Sequence, residues 1–570
     1  MQITNKIHFR NLRGDIFGGV TAAVIALPMA LAFGVASGAG AQAGLYGAIL
    51  VGFFAALFGG TPTLISEPTG PMTVIMTAVI AHLTAPDPVT GLAPENGMAM
   101  AFTVVMMAGV FQIILGSLKL GKYVTLMPYT VVSGFMSGIG VILIVLQTAP
   151  LLGQKNPGGG VIGTLKNLPE LLSNINPAAT GLAVLTVAIL FLMPKALKKY
   201  VPPQLVALVV GTVLAMVMFP EPDAILRVGP IDAGLPELQM PVFSASEFQR
   251  MLVDSMVLGM LGSIDALLTS VVADSLTRTE HNSNKELIGQ GLGNLASGLF
   301  GGIAGAGATM GTVVNIQAGG RTAVSGLTRA LVLLVVVLGA SGLTANIPMA
   351  VLAGIALKVG INIIDWGFLK RAHKVSIKAA AIMYGVIALT VFVDLMVAVG
   401  VGLFVANVLT IDRLTNLQSD EVKAITDSDD EIDLTGEEKA LLDEANGRVL
   451  LFQLSGPMIF GVAKAISREH NAMKHCQALI VDLSEVPILG VTSSLALENA
   501  IKEAIEEGRH VFIVGASGKI KQRLDKFGIS DMISQEHILL DRKQALQKAM
   551  ALVQDRGLEQ NLYVAQETIS

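Results

Sequence analysis

Residues 256–273 have the sequence MVLGMLGSIDALLTSVVA, an almost wholly apolar run that is long enough to approach the width of a membrane. Asp265 is the one charged residue in this run. A carboxylate near the middle of a membrane helix costs about 2.5–3.5 kcal/mol on insertion scales, so it is expected to serve a function. Thr269 follows one helical turn later and places a hydroxyl on the same face. The run predicts a membrane helix with an ion site; the alternative is that Asp265 only forms hydrogen bonds between neighbouring helices.

The composition of the whole chain agrees with a membrane protein. Hydrophobic residues make up 52% of the 570 residues, charged residues only 14%, and the mean hydropathy is +0.66. With 61 glycines, this predicts many crossings through closely packed helices. The net charge of −5 argues against nucleic acid as a partner, and the single cysteine excludes a disulfide within the chain. Lys6, Arg10 and Arg13 precede the first apolar run as in a signal peptide, but the run is too long, so we expect a retained first helix.

Apolar segments follow one another as far as residue 411. They lie at 15–36, 43–60, 69–83, 98–117, 127–149, 177–194, 201–219, 251–273, 286–304, 309–318, 323–342, 347–361, 376–394 and 395–411. Clustered Lys and Arg fall on one side of a fourteen-segment arrangement, and the positive-inside rule makes this side cytoplasmic. We therefore expect a multi-pass protein of an inner or plasma membrane with both termini in the cytoplasm.

Several charged residues fall within or beside these segments. Three cations are expected near cytoplasmic helix ends, where long side chains reach the interface: Arg321, Arg329 and Lys358. Four carboxylates are expected at helix ends that solvent can reach: Asp15, Asp254, Asp274 and Asp394. Glu67 precedes a proline inside the membrane region, and we expect it to support the local loop rather than to bind an ion.

The composition changes after Asp412, and five parts are predicted. They are a cytoplasmic N-terminus at 1–14, a transmembrane transport domain at 15–412, an acidic linker at 413–447, an α/β domain at 448–554 and a polar tail at 555–570. Strand patterns beginning at Arg448, Ala478 and His510 alternate with helical patterns at 461–474, 492–507, 517–526 and 541–553. The acidic run at 427–433 partly matches a calcium loop, but Ile432 stands where the turn needs glycine, which favours a solvated linker.

The apolar segments that begin at Thr69 and Thr309 are too short to span a membrane as full helices, and they resemble each other. Residues 66–74, SEPTGPMTV, and residues 305–313, GAGATMGTV, each begin with small or polar residues and continue into a brief helix. Thr69 stands where its hydroxyl can reach the free N–H groups of such a helix. Broken helices in corresponding halves of a transporter mark its substrate site, and their positive N-terminal ends suit an anion. The alternative is a pair of ordinary glycine-rich kinks.

Asp265 beside such an anion site would repel the anion unless a cation neutralised the carboxylate. A cation held by Asp265, Thr269 and nearby carbonyls would make the binding of both ions mutually favourable. Sodium suits oxygen ligands, and a proton on the carboxylate would have the same effect, so the residues alone leave both open.

Motifs of enzymes are weak in this chain. Gly289 and Gly293 have the spacing of helix contacts and not the context of a dinucleotide loop. His281 has no clustered Cys or His partners for a metal. With no nucleophile and base placed together, we expect no enzymatic activity and no cofactor other than a coupling ion.

Residues 26–37, ALPMALAFGVAS, resemble the first-helix signature of the SulP anion transporters, and the C-terminal α/β segment is similar to their STAS domain. Segments 61–73, 263–283 and 303–312 resemble those of sodium-dependent bicarbonate transporters within that family. The resemblance implies two inverted seven-segment repeats arranged as a core and a gate domain, elevator-like movement, and a homodimer formed through the STAS domain. It also implies sodium-dependent bicarbonate symport for inorganic carbon uptake. The alternatives are a proton- or sodium-coupled sulfate or dicarboxylate symporter, and a membrane-tethered STAS signalling protein.

The resemblance further implies which residues bind the ions. Sodium would be surrounded by Asp265, Thr269, Gly307, Ala308 and Thr309. Bicarbonate would be held by Thr69, Ala308 and Thr309, with backbone amides contributing. Many relatives have Glu at the position of Asp265 and are thought to couple to protons, so the shorter side chain suits sodium.

The STAS segment departs from its soluble relatives at their phosphorylation site. This chain has LGVTSSL at 489–495, with Gly490 in place of the expected Asp. Thr492 and Ser493 remain as hydroxyls that could accept phosphate. The favoured alternative is that these hydroxyls cap the following helix.

Overall fold

The computed structural model describes residues 4–5, 7–85, 94, 96–124, 128–198, 201–221, 223–229, 236–393, 395–427, 434–469 and 475–567. The chain forms two compact units, a helical unit (Met1–Phe404) and an α/β unit (Val405–Ser570). Each predicted apolar segment contains a helix. These are α1 (Leu12–Ser37), α2 (Ala41–Phe58), α3 (Gly70–Leu83), α4 (Gly97–Ser117), α5 (Tyr129–Leu146), α6 (Pro177–Leu192), α7 (Pro203–Met218), α8 (Phe248–Thr277), α9 (Ser283–Leu299), α10 (Thr309–Gln317), α11 (Ala323–Thr344), α12 (Met349–Ile363), α13 (Ile377–Phe392) and α14 (Leu395–Asp420).

Membrane-crossing capacity differs among these helices. Within the described residues, five helices are long and apolar enough to cross a membrane, and six more contain apolar stretches of 10–17 residues. Short helices connect some of the long ones, at Gly121–Val124, Thr148–Leu151, Gly160–Lys166, Leu168–Ser173, Lys195–Lys198, Trp366–Leu369 and Ala372–Val375. The helical unit is thus polytopic, and the number of its crossings stays a prediction.

Glycines bring the helix backbones of the helical unit into direct contact. A Cβ at Gly44 of α2 would lie 2.0 Å from the carbonyl oxygen of Ala30 in α1, so only glycine fits at this crossing. On α9, a Cβ at Gly289 would lie 2.5 Å from the nitrogen of Gly59, and one at Gly293 would lie 2.9 Å from Cα of Val51. The predicted contact role of Gly289 and Gly293 is confirmed, and it places α9 directly against α2.

The two brief helices, α3 and α10, are each preceded by a two-residue strand. Strand β1 (Ser66–Glu67) precedes α3, and strand β2 (Ala306–Gly307) precedes α10. The strands pair antiparallel, with Ser66 opposite Gly307 and Glu67 opposite Ala306. Because each strand leads almost directly into its helix, this pairing brings the N-terminal ends of α3 and α10 to the same region of the unit.

The α/β unit is built on a five-stranded sheet in the order β3-β4-β5-β6-β7. The strands are β3 (Val422–Ile425), β4 (Val449–Ser455), β5 (Ala478–Glu485), β6 (His510–Val514) and β7 (Ile538–Leu539). Only the β3–β4 pair is antiparallel. The helices are α15 (Gly436–Ala445), α16 (Gly461–Arg468), α17 (Val491–Glu506), α18 (Gly518–Lys526) and α19 (Arg542–Glu567), with a further turn at Ile529–Met532.

Both faces of this sheet are covered. Leu450 and Phe452 of β4 belong to one buried cluster, whereas Val449 and Leu451 belong to another. Alternate residues of a strand point to opposite faces, so a strand covered on both sides needs apolar residues throughout. This is why the three central strands could be located from their continuous apolar runs.

The predicted linker at 413–447 contains regular structure. Strand β3 pairs with β4 there, and α15 begins with a capping box in which the Thr435 hydroxyl and the Glu438 carboxylate bond each other's backbone N–H. The apolar pattern of β3 was too short to signal a strand, since only Val422 and Ile425 are buried. Helix α19 likewise runs through most of the predicted tail at 555–570. The acidic run at 428–433 lies outside the described residues, and the domain boundaries themselves stay predictions.

Candidate ion-binding site

Asp265 lies in the middle of α8, beside the N-terminal end of α3. Its side chain is buried, and Oδ2 accepts a hydrogen bond of 2.8 Å from the hydroxyl of Thr69. Thr69 is the residue before α3, and its hydroxyl makes no bond to the N–H groups of that helix. The prediction that this hydroxyl caps α3 is therefore wrong; the hydroxyl donates to the Asp265 carboxylate instead. Asp265 is thereby tied to the start of a half-helix.

Thr269, one turn further along α8, joins the same helix to β2 and α10. Its hydroxyl donates to the carbonyl oxygen of Gly307 at 2.9 Å, and it lies 2.9 Å from the hydroxyl oxygen of Thr309. A Cβ at Gly307 would lie 2.9 Å from Cα of Ala266, so strand β2 touches the backbone of α8. The glycine permits this close approach, which the hydroxyl contacts require.

The two groups of contacts share one face of α8, because residues four apart in a helix are neighbours. One carboxylate, three hydroxyls and one carbonyl oxygen converge there, from Thr69, Asp265, Thr269, Gly307 and Thr309. Such an all-oxygen set is the kind that binds hard cations. The structure thus places five of the six predicted ion-binding residues in two hydrogen-bonded groups on one face of α8, Thr69 with Asp265 and Thr269 with Gly307 and Thr309.

Ala308 connects β2 to α10 and is held by its backbone. Its N–H donates to the carbonyl oxygen of Ile65 at 2.8 Å, and its carbonyl oxygen accepts the N–H of Thr312 at 2.9 Å. The predicted contribution of the Ala308 N–H to anion binding does not fit this arrangement, since that donor is already used. The first N–H groups of α3 and α10 have no partner within their own helices and remain the natural donors to an anion.

A cavity of about 330 Å³ lies beside this site. Asp265 is part of its lining, and the rest is almost entirely apolar. The walls come mainly from α5 and α8, with Val131, Phe135, Leu261 and Leu268 among the lining residues. Because Asp265 is the one charged residue among the described residues of this lining, a small ion that enters the cavity meets no other charged side chain there.

Two ionic residues of the helical unit differ from their predicted places. Arg329 is fully buried rather than directed to a helix end; its Nη2 pairs with the Glu67 carboxylate, and its Nη1 donates to the carbonyl oxygens of Ala48 and Ser66, each at 3.1 Å. Glu67 supports the local loop through this pair, as predicted. Asp15 is also fully buried, which contradicts its predicted exposure.

Asp15 owes its burial to the start of α11. Its Oδ1 accepts the N–H groups of Arg321 and Thr322 at 2.7 and 3.0 Å, and its Oδ2 accepts the Thr322 hydroxyl at 2.8 Å. Carboxylates satisfy the free N–H groups at helix starts. The position of Asp15 in the first turn of α1 therefore did not imply that its side chain is exposed to solvent.

The remaining charged residues singled out from the sequence make contacts away from the candidate site. Asp254 forms a 4.0 Å ion pair with Arg250, Asp274 bonds His281 at 2.6 Å, and Asp394 lies outside the described residues. The Lys358 ammonium lies 3.8 Å from the centre of the Phe191 ring. None of these contacts involves the residues around Asp265.

The predicted regulatory hydroxyls lie at the start of α17, where Gly490 is the N-cap residue. Thr492 is exposed, whereas Ser493 is fully buried. No side chain caps this helix, so the capping alternative is wrong. Only Thr492 is accessible to a modifying enzyme in this conformation.

Comparison with known proteins agrees with this architecture. The sulfate permease family model matches residues 12–386, and the STAS domain model matches residues 441–545. The bicarbonate transporter BicA of Picosynechococcus sp. is 72% identical over 551 residues, covering 96% of this chain and 97% of the relative.

Two solved structures are also similar. The transmembrane domain of a cyanobacterium bicarbonate transporter BicA has 73% identity and a TM-score of 0.66, and it covers 70% of this chain and 100% of that chain. The murine anion transporter Slc26a9, solved in the inward-facing state, has a TM-score of 0.81 and covers 96% of this chain and 92% of that chain. Its 18% identity shows a shared fold alone. The chain therefore belongs to the sulfate permease family, and it is a multi-pass helical membrane transporter, not an enzyme, with a C-terminal α/β STAS domain.

Proposed function

We propose that this protein is a sodium-dependent bicarbonate symporter that imports inorganic carbon. The observation that carries the proposal is the Thr69–Asp265 hydrogen bond, which places a buried carboxylate against the N-terminal end of a half-helix. A carboxylate there opposes anion binding until a cation neutralises it, so the two ions bind cooperatively and the coupling is reciprocal. The relative that is 72% identical is named a bicarbonate transporter, which supports bicarbonate as the anion.

Sodium would bind on the α8 side of the site. Its ligands would be the Asp265 carboxylate, the hydroxyls of Thr269 and Thr309, and the carbonyl oxygens of Gly307 and Ala308. Two contacts support this set, because the Thr269 hydroxyl already lies against the carbonyl oxygen of Gly307 and the hydroxyl of Thr309. Sodium would replace those hydrogen bonds, and the hydroxyl protons would turn towards the anion.

Bicarbonate would bind between the half-helix ends, where partial positive charge and free N–H donors meet. Thr69 would contribute its hydroxyl once sodium draws the Asp265 carboxylate away, and Thr309 would contribute from the first turn of α10. Ala308 would shape the loop rather than donate its N–H, which Ile65 already accepts.

The transport domain would cross the membrane fourteen times as two inverted seven-helix repeats. Helices α1–α7 and α8–α14 support this division, since the half-helix is the third member of each set. The antiparallel β1–β2 pair is what a two-fold relation between the repeats would produce. We further propose core and gate domains, elevator-like alternating access, location in an inner or plasma membrane, and cytoplasmic termini.

The STAS domain would form the homodimer contact. Four apolar side chains support this, because they are exposed near the start of α17 and the loop before it: Ile459, Ile488, Val491 and Leu495. Val491→Glu should convert the full-length dimer to monomer by light scattering, whereas Leu540→Glu, at another exposed apolar side chain, should not. A monomeric wild type, or a dimer that survives Val491→Glu, would contradict this contact. Phosphate on Thr492, beside the same residues, would then regulate assembly.

Uptake of labelled bicarbonate into proteoliposomes tests the main proposal. Wild type should require an inward sodium gradient, and Asp265→Ala should abolish the sodium-dependent component. Asp254→Ala is a matched control, because it removes a carboxylate from the same helix, one that pairs with Arg250 at 4.0 Å and is not a proposed ion ligand. Bicarbonate uptake driven by protons would overturn the sodium assignment. Sulfate uptake without bicarbonate uptake would overturn the substrate and leave the fold unaffected.

A further inference from the structure

Helix α9 carries a row of polar side chains on one face, at intervals of three or four residues. The row consists of Glu286, Gln290, Asn294 and Ser297, and all four are fully buried. Buried polar groups must find hydrogen-bond partners, because a buried group without one costs free energy. The partners of this row therefore show what it is for.

The first half of the row holds the chain that leads into β1. The Gln290 Nε2 donates to the Ser66 hydroxyl at 2.6 Å and to the Glu286 carboxylate at 2.9 Å. The other carboxylate oxygen of Glu286 accepts the N–H groups of Gly60 and Thr61, each at 2.9 Å. The segment between α2 and β1 is thus bonded to α9 at both of its ends.

The second half of the row holds the chain that leads into β2. The Asn294 side chain bonds both backbone groups of Gly305: its Nδ2 donates to the carbonyl oxygen at 3.0 Å, and its Oδ1 accepts the N–H at 2.8 Å. The Ser297 hydroxyl donates to the carbonyl oxygen of Ile303 at 2.7 Å. The same Nδ2 also donates to Gln112 of α4 at 2.8 Å, which fixes the plane of the amide.

Gln290 and Asn294 stand one helical turn apart; Gln290 bonds Ser66 of β1, and Asn294 bonds Gly305, the residue before β2. The β1–β2 pair has only two residues in each strand, and short two-stranded pairs are marginal by themselves. Hydrogen bonds from one rigid helix to β1 and to the residue before β2 fix the separation of the two strands more firmly than their own short pairing does. The ends of α3 and α10 follow directly from these strands.

We propose that Gln290 and Asn294 are positioning residues that set the distance between the two half-helix ends, and so the fit of the shared ion site. The inference rests on the proposed symport. Gln290 acts through β1 on Thr69, which lies on the anion side. Asn294 acts through β2 on Gly307, which lies on the cation side. The two residues should therefore affect the two ions differently.

Uptake kinetics at a saturating concentration of the other ion separate these effects. Gln290→Ala should raise the KM for bicarbonate about tenfold and change the KM for sodium less, since a tenfold change corresponds to one or two lost hydrogen bonds. Asn294→Ala should show the reverse preference. Asn176→Ala is the matched control: Asn176 also bonds backbone, accepting the N–H groups of Ala178 and Ala179, but at the start of α6. It should lower thermal stability and leave both KM values unchanged.

Ser66→Ala gives a milder variant if the others fail to fold, because it removes only the hydroxyl that Gln290 bonds. It should raise the KM for bicarbonate several-fold. Equal changes in both KM values for Gln290→Ala and Asn294→Ala, or unchanged KM values with lower thermal stability, would overturn the positioning role. If wild type transports another anion, the proposed substrate fails, and the same comparison with that anion still decides the role of α9.

Discussion

The buried ion pair between Glu67 and Arg329 allows a quantitative prediction about the stability of the helical unit. Arg329 is the largest fully buried side chain in the described part of the chain. Its guanidinium pairs with Glu67 and donates to the carbonyl oxygens of Ala48 and Ser66. Gly52 makes room for this group, because a Cβ there would lie 2.5 Å from Nη1. Glu67→Ala would leave the cation buried without its counter-charge.

The magnitude follows from the two kinds of contact. Removing one partner of a buried ion pair destabilises by about 3–5 kcal/mol, because the remaining charge is uncompensated. Glu67→Ala should therefore lower the free energy of unfolding by about this amount. In Glu67→Ala/Arg329→Met no charge remains, but the carbonyl groups of Ala48 and Ser66 lose a donor at about 1 kcal/mol each. The double variant should thus be destabilised by only about 2 kcal/mol.

Unfolding in mixed micelles with increasing SDS can measure this difference. Trp366 is the single tryptophan of the sequence and lies in the helical unit, so its fluorescence reports on that unit alone. The double variant should be more stable than Glu67→Ala. If it is equally or less stable, the guanidinium acts through its carbonyl contacts and packing, and the charge argument is refuted.

Three further predictions concern other parts of the chain. Gly307→Ala should reduce sodium-dependent uptake at least tenfold at equal protein amount, because the added Cβ would lie 2.9 Å from Cα of Ala266, which cannot give way; unchanged uptake would contradict the close packing. Thr435→Ala removes the capping box shared with Glu438 and should destabilise α15 by about 1 kcal/mol, seen as faster hydrogen exchange confined to that helix. Burial raises the pKa of the Cys476 thiol, so the folded state holds this proton more tightly than the unfolded state does. The contribution of the protonated thiol to folding stability is full below the ordinary thiol pKa of about 8.5 and is lost as pH rises through the raised pKa. Labelling of the thiol in folded protein should accordingly be slower than in unfolded protein at about pH 8–9.

The sequence was sufficient to locate the helices, the central strands of the sheet and the helix that lies beside the two half-helices. Hydropathy located the helices, and continuous apolar runs located the central strands of the STAS domain. The similarity between 66–74 and 305–313 predicted two half-helices, which the β1–β2 pair brings together. The solitary charge at Asp265 identified the helix that lies beside them.

The contacts around that centre were beyond the sequence. Arg329 and Asp15 were assigned to helix ends because hydropathy measures distance along a segment and not the neighbours of a side chain. The direction of the Thr69 hydroxyl and the use of the Ala308 N–H depend on which acceptor lies nearest in space. The spacing of Glu286, Gln290 and Asn294 was a visible signal, since three polar residues at intervals of four stand on one face of the helix.

These residues share a physical cause. A half-helix leaves several residues of non-helical backbone inside the membrane region, and lipid offers no partners for their N–H and C=O groups. Arg329 and Gln290 bond Ser66, Asn294 bonds Gly305, and each does so from a neighbouring continuous helix. Broken helices therefore require buried polar side chains on the helices around them. In a chain with two predicted half-helices, polar residues in the adjacent apolar segments are best interpreted as partners of that backbone before they are assigned to helix ends or to ion binding.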